Sequence, residues 1–198
     1  MAMKPQLVQL LEAMNAQNLK PMHELSPEGA RRQMTETAKS RDTTIIEVGD
    51  IEDRTIPGPT GAIPVRIYRS EGTDGTVGAL VYFHGGGHVI GDLDSHDSVC
   101  RAICHDAKIF VMSVDYRMGP ESKFPAAVDD SYAATKWLFE NADSMGVRAD
   151  KIGVGGDSAG GNLALVTSLL ARDNEDISLA FQMLVYPVMD YSGGTPTY

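Results

Sequence analysis

Apolar and polar positions alternate along this chain in two rhythms. Six runs rich in β-branched, aromatic or aliphatic residues, bounded by glycine, proline or charge, read as strands: 43–55, 63–70, Val77–Phe83, 109–114, 151–155 and 180–187. Three stretches carry apolar residues at helical spacing: 95–106, 126–141 and 158–171. In the second, Val128, Tyr132, Leu138 and Phe139 mark an apolar side, and Pro125 suits a first helical position. In the third, Leu163, Val166, Leu169 and Leu170 do the same. The first strands lie close together, which predicts a hairpin, and the later ones are separated by helices. The expected fold class is α/β, a mostly parallel sheet with flanking helices and an antiparallel start.

Residues 1–42 follow a different pattern. Leu7, Leu10, Leu11 and Met14 form one helical stripe. Ser26-Pro27-Glu28 is a second helix start, with a cap, a first-turn proline and an acid. Glycine and proline after residue 20 separate the two helices. Two units are therefore expected: an N-terminal helical segment, 1–42, and an α/β core, 43–198.

Chemistry enters at Gly156-Asp157-Ser158-Ala159-Gly160, between an apolar strand and an apolar helix. A sharp strand-to-helix turn of this kind pushes a serine hydroxyl out of the backbone, and small neighbours permit the strained turn. A structural turn or a phosphate cradle is the competing reading. A P-loop needs Lys and then Ser/Thr after its second glycine, but Asn162 and Leu163 follow Gly161. A G-x-G-x-x-G pattern begun at Gly153 meets Ser158 where its third glycine belongs. A second motif, His84-Gly85-Gly86-Gly87, follows the strand Val77–Phe83. Its glycines let backbone N–H groups approach an oxyanion, and acyl transfer needs such donors. The candidate nucleophile is Ser158. The candidate oxyanion donors are Gly86, Gly87 and Ala159, with His84 and Asp157 supporting the loop.

These motifs, with Gly91, Gly161 and the segment between them, carry a family resemblance. That segment runs Asp115-Tyr116-Arg117, Pro120-Glu121, Phe124-Pro125-Ala126-Ala127 and Asp129. Over roughly residues 40–190 the chain resembles the hormone-sensitive-lipase-like (bacterial family IV) carboxylesterases of the α/β-hydrolase fold. His88 departs from the family's usual Phe or Trp, and Met118-Gly119 from its usual Leu-Ala. The resemblance implies hydrolysis of small, short-acyl esters without a metal or organic cofactor, and an N-terminal cap over the site. Arg117 and Glu121 are expected to order their loop as an ion pair. The rival reading is a non-catalytic small-molecule binding protein on the same fold.

Composition narrows the partners. With 17 Lys plus Arg against 27 Asp plus Glu, the net charge is −10, which disfavours nucleic acid and anionic membranes. No apolar stretch is long enough to span a bilayer and no secretory signal is visible; the scarcity of cysteine, two in the chain, leads to the expectation of a cytoplasmic location. Cys100 and Cys104 stand one helical turn apart beside His105. They lack a zinc spacing and read as buried thiols, so no metal is expected.

One element is missing. Serine needs a base, and in this fold the acid and the histidine follow the nucleophile. After Ser158 come Asp173, Glu175, Asp176 and Asp190, but the five histidines, at 23, 84, 88, 96 and 105, all precede it. The C-terminal strands, the acid and the base are therefore expected to lie outside these residues. The 198-residue piece is expected to be nearly inert alone. It would leave an apolar sheet edge at Phe181, Met183, Leu184 and Val185 that favours aggregation. A separate C-terminal fragment and a homodimer are the protein partners this leaves open.

Overall fold

A computed structural model describes residues 3–40, 44–72 and 75–194, with only the backbone of Leu10. The expected strand start at Thr43, the 42/43 boundary, the Leu10 side chain and the tail 195–198 lie outside the described residues. The strands are β1 (Asp50–Pro57), β2 (Ala62–Arg69), β3 (Val77–Phe83), β4 (Phe110–Val114), β5 (Val147–Asp157) and β6 (Gln182–Val185). The helices are α1 (Pro5–Ala16), α2 (Pro27–Ser40), α3 (Asp97–Ala107), α4 (Ala126–Glu140) and α5 (Ala159–Asn174). The sheet order is β1-β2-β4-β3-β5-β6. The expected hairpin is β1–β2, and β2 meets β4 antiparallel. From β4 onward all pairs are parallel. Central β3 and all of β4 are buried, as expected of a sheet covered on both faces.

The order places β3 and β5 side by side, with Phe83 opposite Gly156 in register. His84 and Ser158 each follow the last residue of one of these strands, at the same edge of the sheet. Ligands of open α/β sheets bind at such carboxyl ends.

Apolar spacing alone misjudged the buried helix faces. On α4 the buried residues include Asp130, Ser131 and Thr135 beside Ala134 and Leu138. Ser131 and Thr135 donate to the carbonyls of Ala127 and Ser131 at 2.7 and 2.8 Å, which makes their burial affordable. On α5 the packing face is Gly160, Gly161, Leu163, Ala164, Thr167 and Ala171, while Leu169 points outward. Small residues let α5 lie close to β5. Cys100 and Cys104 are free thiols buried on α3. The expected ion pair between Arg117 and Glu121 does not form. Arg117 instead grips buried Asp130 with two bonds of 2.8 Å, and Glu121 takes Arg31 from α2. A carboxylate buried on α4 needs a cation, and Arg117 supplies it.

The N-terminal helices form as predicted, except that Gly29 lies within α2 rather than in the break before it. Leu7, Leu11 and Met14 remain exposed on α1. β6 is the outer strand among the described residues; Phe181, just before it, is 42% and Val185 36% exposed, and Met183 and Leu184 are half-buried. No helix of the described residues is long and apolar enough to cross a membrane.

Candidate active site

Ser158 has φ 52° and ψ −116°, a strained conformation between the end of β5 and the start of α5. Its own N–H donates to the Val185 carbonyl at 2.9 Å, which ties the turn to β6. The turn also presses on the end of β3. A methyl group added at Gly160 would fall 1.9 Å from the Phe83 carbonyl oxygen, so this position admits only glycine. That contact brings the serine turn against the start of the His84–Gly87 loop.

The orientation of three N–H groups follows from what lies behind them. In a trans peptide the carbonyl and the next N–H point opposite ways. The Gly85 carbonyl accepts from His84 Nδ1 at 2.8 Å, so the Gly86 N–H faces away from the His84 ring. The Gly86 carbonyl accepts from the N–H groups of Val89 and Ile90 at 3.1 and 3.0 Å, so the Gly87 N–H faces away from that turn. The Ser158 carbonyl accepts from Asn162 and Val188 at 3.1 and 3.2 Å, which fixes the Ala159 N–H at the positive end of α5. Among the described residues none of these three N–H groups has a hydrogen-bond partner. Unpartnered N–H groups are the kind of donor that a developing negative oxygen needs.

Two side chains hold the loop against the turn. Asp157 Oδ1 accepts from the Gly85 N–H at 2.9 Å and from the Tyr82 hydroxyl at 2.7 Å, and stands 3.5 Å from His96 Nε2. Burial pushes the Asp157 carboxyl up, but these three partners more than offset it and hold it below the usual aspartate range. His84 is fully buried and stacks on Tyr116 at 4.4 Å between ring centres. Its Nδ1 must carry the proton to bond the Gly85 carbonyl, and its Nε2 is buried without a partner. The Tyr116 hydroxyl donates to the His84 carbonyl at 2.7 Å.

Burial depresses the His84 pKa to about 4. An unfolded chain takes up that proton near 6.5, so this contribution to stability is complete above pH 6.5 and is lost as pH falls toward 4. The difference corresponds to roughly 3 kcal/mol. Asp157 adds a loss of the same sign at lower pH, because its folded pKa lies below the ordinary value. Denaturant midpoints should therefore fall between pH 7 and pH 4.5. In His84→Gln, a less stable variant overall, the fall should be shallower; an equal fall would contradict the assignment to His84.

The structure thus brings Ser158, Asp157, Ala159, His84, Gly86 and Gly87 together at one end of the sheet. Sequence reasoning missed Tyr82, His96, Tyr116 and Arg31. Tyr82 did leave a signal, since a tyrosine within a buried strand needs a partner for its hydroxyl. His88, held at φ 60°, bonds Tyr191 Oη through Nε2 at 2.8 Å. Together with Asn162, Val166 and Leu170 these residues line an apolar cavity of about 690 Å³. Among the described residues no side chain hydrogen-bonds the Ser158 hydroxyl. No cluster of metal-ligating residues occurs among them.

Comparison with known proteins identifies the family and the fold. Residues 80–198 match the α/β-hydrolase fold family. The chain is 48% identical over 151 residues to the carboxylic ester hydrolase LipN of Mycobacterium tuberculosis, covering 74% of this chain and 40% of that protein. It is 38% identical to the ethyl acetate hydrolase of Pseudomonas putida, covering 100% of this chain and 64% of the relative. The hyperthermophilic esterase of Pyrobaculum calidifontis superposes with a TM-score of 0.90 at 40% identity, covering 100% of this chain and 63% of that structure. The chain therefore spans between 40% and 64% of the length of these relatives.

Proposed function

The chain belongs to the α/β-hydrolase family, in its hormone-sensitive-lipase-like branch, and on that footing we propose that it is the nucleophile-bearing part of a carboxylic-ester hydrolase. The observation that carries this reading is the strained Ser158 turn set beside three N–H groups that have no partner. Ser158 Oγ attacks the ester carbonyl carbon while a base removes its proton. Gly86, Gly87 and Ala159 hold the oxyanion. Collapse of the tetrahedral adduct breaks the bond to the alcohol oxygen, which leaves with the proton and forms an acyl-serine. Water, deprotonated by the same base, attacks the acyl carbon and releases the acid. The apolar cavity beside His88 suits a short acyl or alcohol chain.

His84 is unsuited to be the base. Its Nδ1 is committed to the Gly85 carbonyl, its ring is stacked on Tyr116, and burial disfavours the protonated form. The base and its orienting acid would come from residues other than these 198, joined to the same chain or supplied as a separate fragment. The N-terminal helices would form part of a cap over the site.

Turnover of p-nitrophenyl acetate tests this reading. The 198-residue chain should show less than about a thousandth of the rate of a longer chain carrying a histidine base, since removing the base costs about 10⁶ in a well-studied serine hydrolase. Equal rates would contradict it. The exposed β6 edge also predicts concentration-dependent light scattering by the short chain, relieved by Val185→Lys.

A further inference from the structure

Helix α2 is fastened to the loops behind the site rather than merely resting on them. Arg31 Nε donates to the Val89 carbonyl at 2.7 Å, and one terminal nitrogen donates to the Gly119 carbonyl at 2.7 Å. The same guanidinium grips the Glu121 carboxylate at 2.9 and 2.7 Å. Those carbonyls belong to two different loops that already hold each other. The Gly119 N–H donates to the His88 carbonyl at 2.8 Å, and the Val89 N–H donates to Gly86. Further along α2, Thr35 bonds Asp92 at 2.5 Å and Lys39 pairs with Asp94 at 2.6 Å. The guanidinium therefore sits at a node directly behind the turn whose N–H groups orient the Gly86–Gly87 peptide.

We propose that Arg31 is a positioning residue for the oxyanion donors, clamping the 86–90 turn from the N-terminal segment. This rests on the reading of Gly86 and Gly87 as donors. A plain surface ion pair between Arg31 and Glu121 would contribute little, and removing either partner would have the same effect. The two carbonyl bonds do not depend on Glu121, so the two removals should differ. Lysine, a point charge without a planar fork, cannot span two carbonyls and a carboxylate at once.

The test compares Arg31→Ala, Arg31→Lys and Glu121→Ala by amide hydrogen exchange in the 198-residue chain. It also measures kcat and KM in the length of chain that hydrolyses ester. Arg31→Ala should speed exchange over 86–90 about tenfold, and should lower kcat about tenfold with KM within about twofold. Arg31→Lys should fall between wild type and Arg31→Ala, and Glu121→Ala should change exchange less than about threefold. Exchange in α5 reports whether each variant stays folded, and the Lys and Glu121 variants keep the test decisive if Arg31→Ala does not. Unchanged exchange over 86–90, or equal effects at positions 31 and 121, would overturn the clamp and leave the Ser158 assignment standing. Faster exchange with unchanged kcat would overturn the role of the clamp in catalysis, and the kcat of Gly86→Ala decides the donor assignment separately.

Discussion

Ser158→Ala should lower kcat for a small ester by about 10⁶, with KM little changed, in the length of chain that hydrolyses it. The expectation follows from the backbone rather than from the side chain alone. Position 158 keeps φ 52° because its N–H is tied to Val185 and its carbonyl to Asn162 and Val188. Alanine would inherit the same turn and leave the N–H groups in place. The fold and ester binding should therefore survive while covalent chemistry disappears. A stopped assay alone would not separate this from unfolding. The check is kcat and KM beside circular dichroism, where a loss of less than about a hundredfold in a folded variant would argue against Ser158 as nucleophile.

Gly86→Ala should be the next most damaging change, lowering kcat by about 10²–10³, the size expected for loss of one oxyanion donor. Gly86 has φ 125°, and an added methyl would lie 2.0 Å from the Ile90 carbonyl oxygen and 2.6 Å from its carbon. Both atoms are backbone, so no side chain can swing aside. The turn that accepts the Val89 and Ile90 N–H groups must open, and the Gly87 N–H loses its direction. KM should change far less than kcat, because the donors act on charge that develops only in the transition state. A parallel rise in KM with constant kcat would indicate that the loop binds substrate and does not stabilise the oxyanion.

These two effects show what was legible along the chain and what was not. Strand β3 was readable to the residue, because a run of seven apolar residues ends abruptly at His84-Gly85-Gly86-Gly87. The serine turn was readable because Gly156 and Gly160 flank the serine between an apolar strand and an apolar helix, and in the structure Gly160 meets the Phe83 carbonyl. Strand β5 was read four residues short at its start. Val147-Arg148-Ala149-Asp150 carries charge, and only Val147 is fully buried there. The buried polar face of α4 was invisible to apolar spacing, since Asp130 and Thr135 are tolerable only once Arg117 and a helix carbonyl answer them. Arg31 left no local trace at all. Its three partners lie 58 to 90 residues away, and only folding brings them together. Asp157 falls between these cases. It was assigned beside the serine, but Tyr82 and the Gly85 N–H come from the end of β3 and its following loop, and His96 from the start of α3; together they keep it ionised while half-buried.

The central claim is that Ser158 forms a covalent bond with the acyl carbon of an ester. The most direct measurement is mass mapping after exposure of the ester-hydrolysing chain to a fluorophosphonate, with Ser158→Ala as the control. A single adduct on the peptide containing Ser158, absent from the alanine variant, is the expected result. A folded protein that binds ester but gains no adduct, or gains one on another residue, would contradict it and favour a binding protein on the same fold.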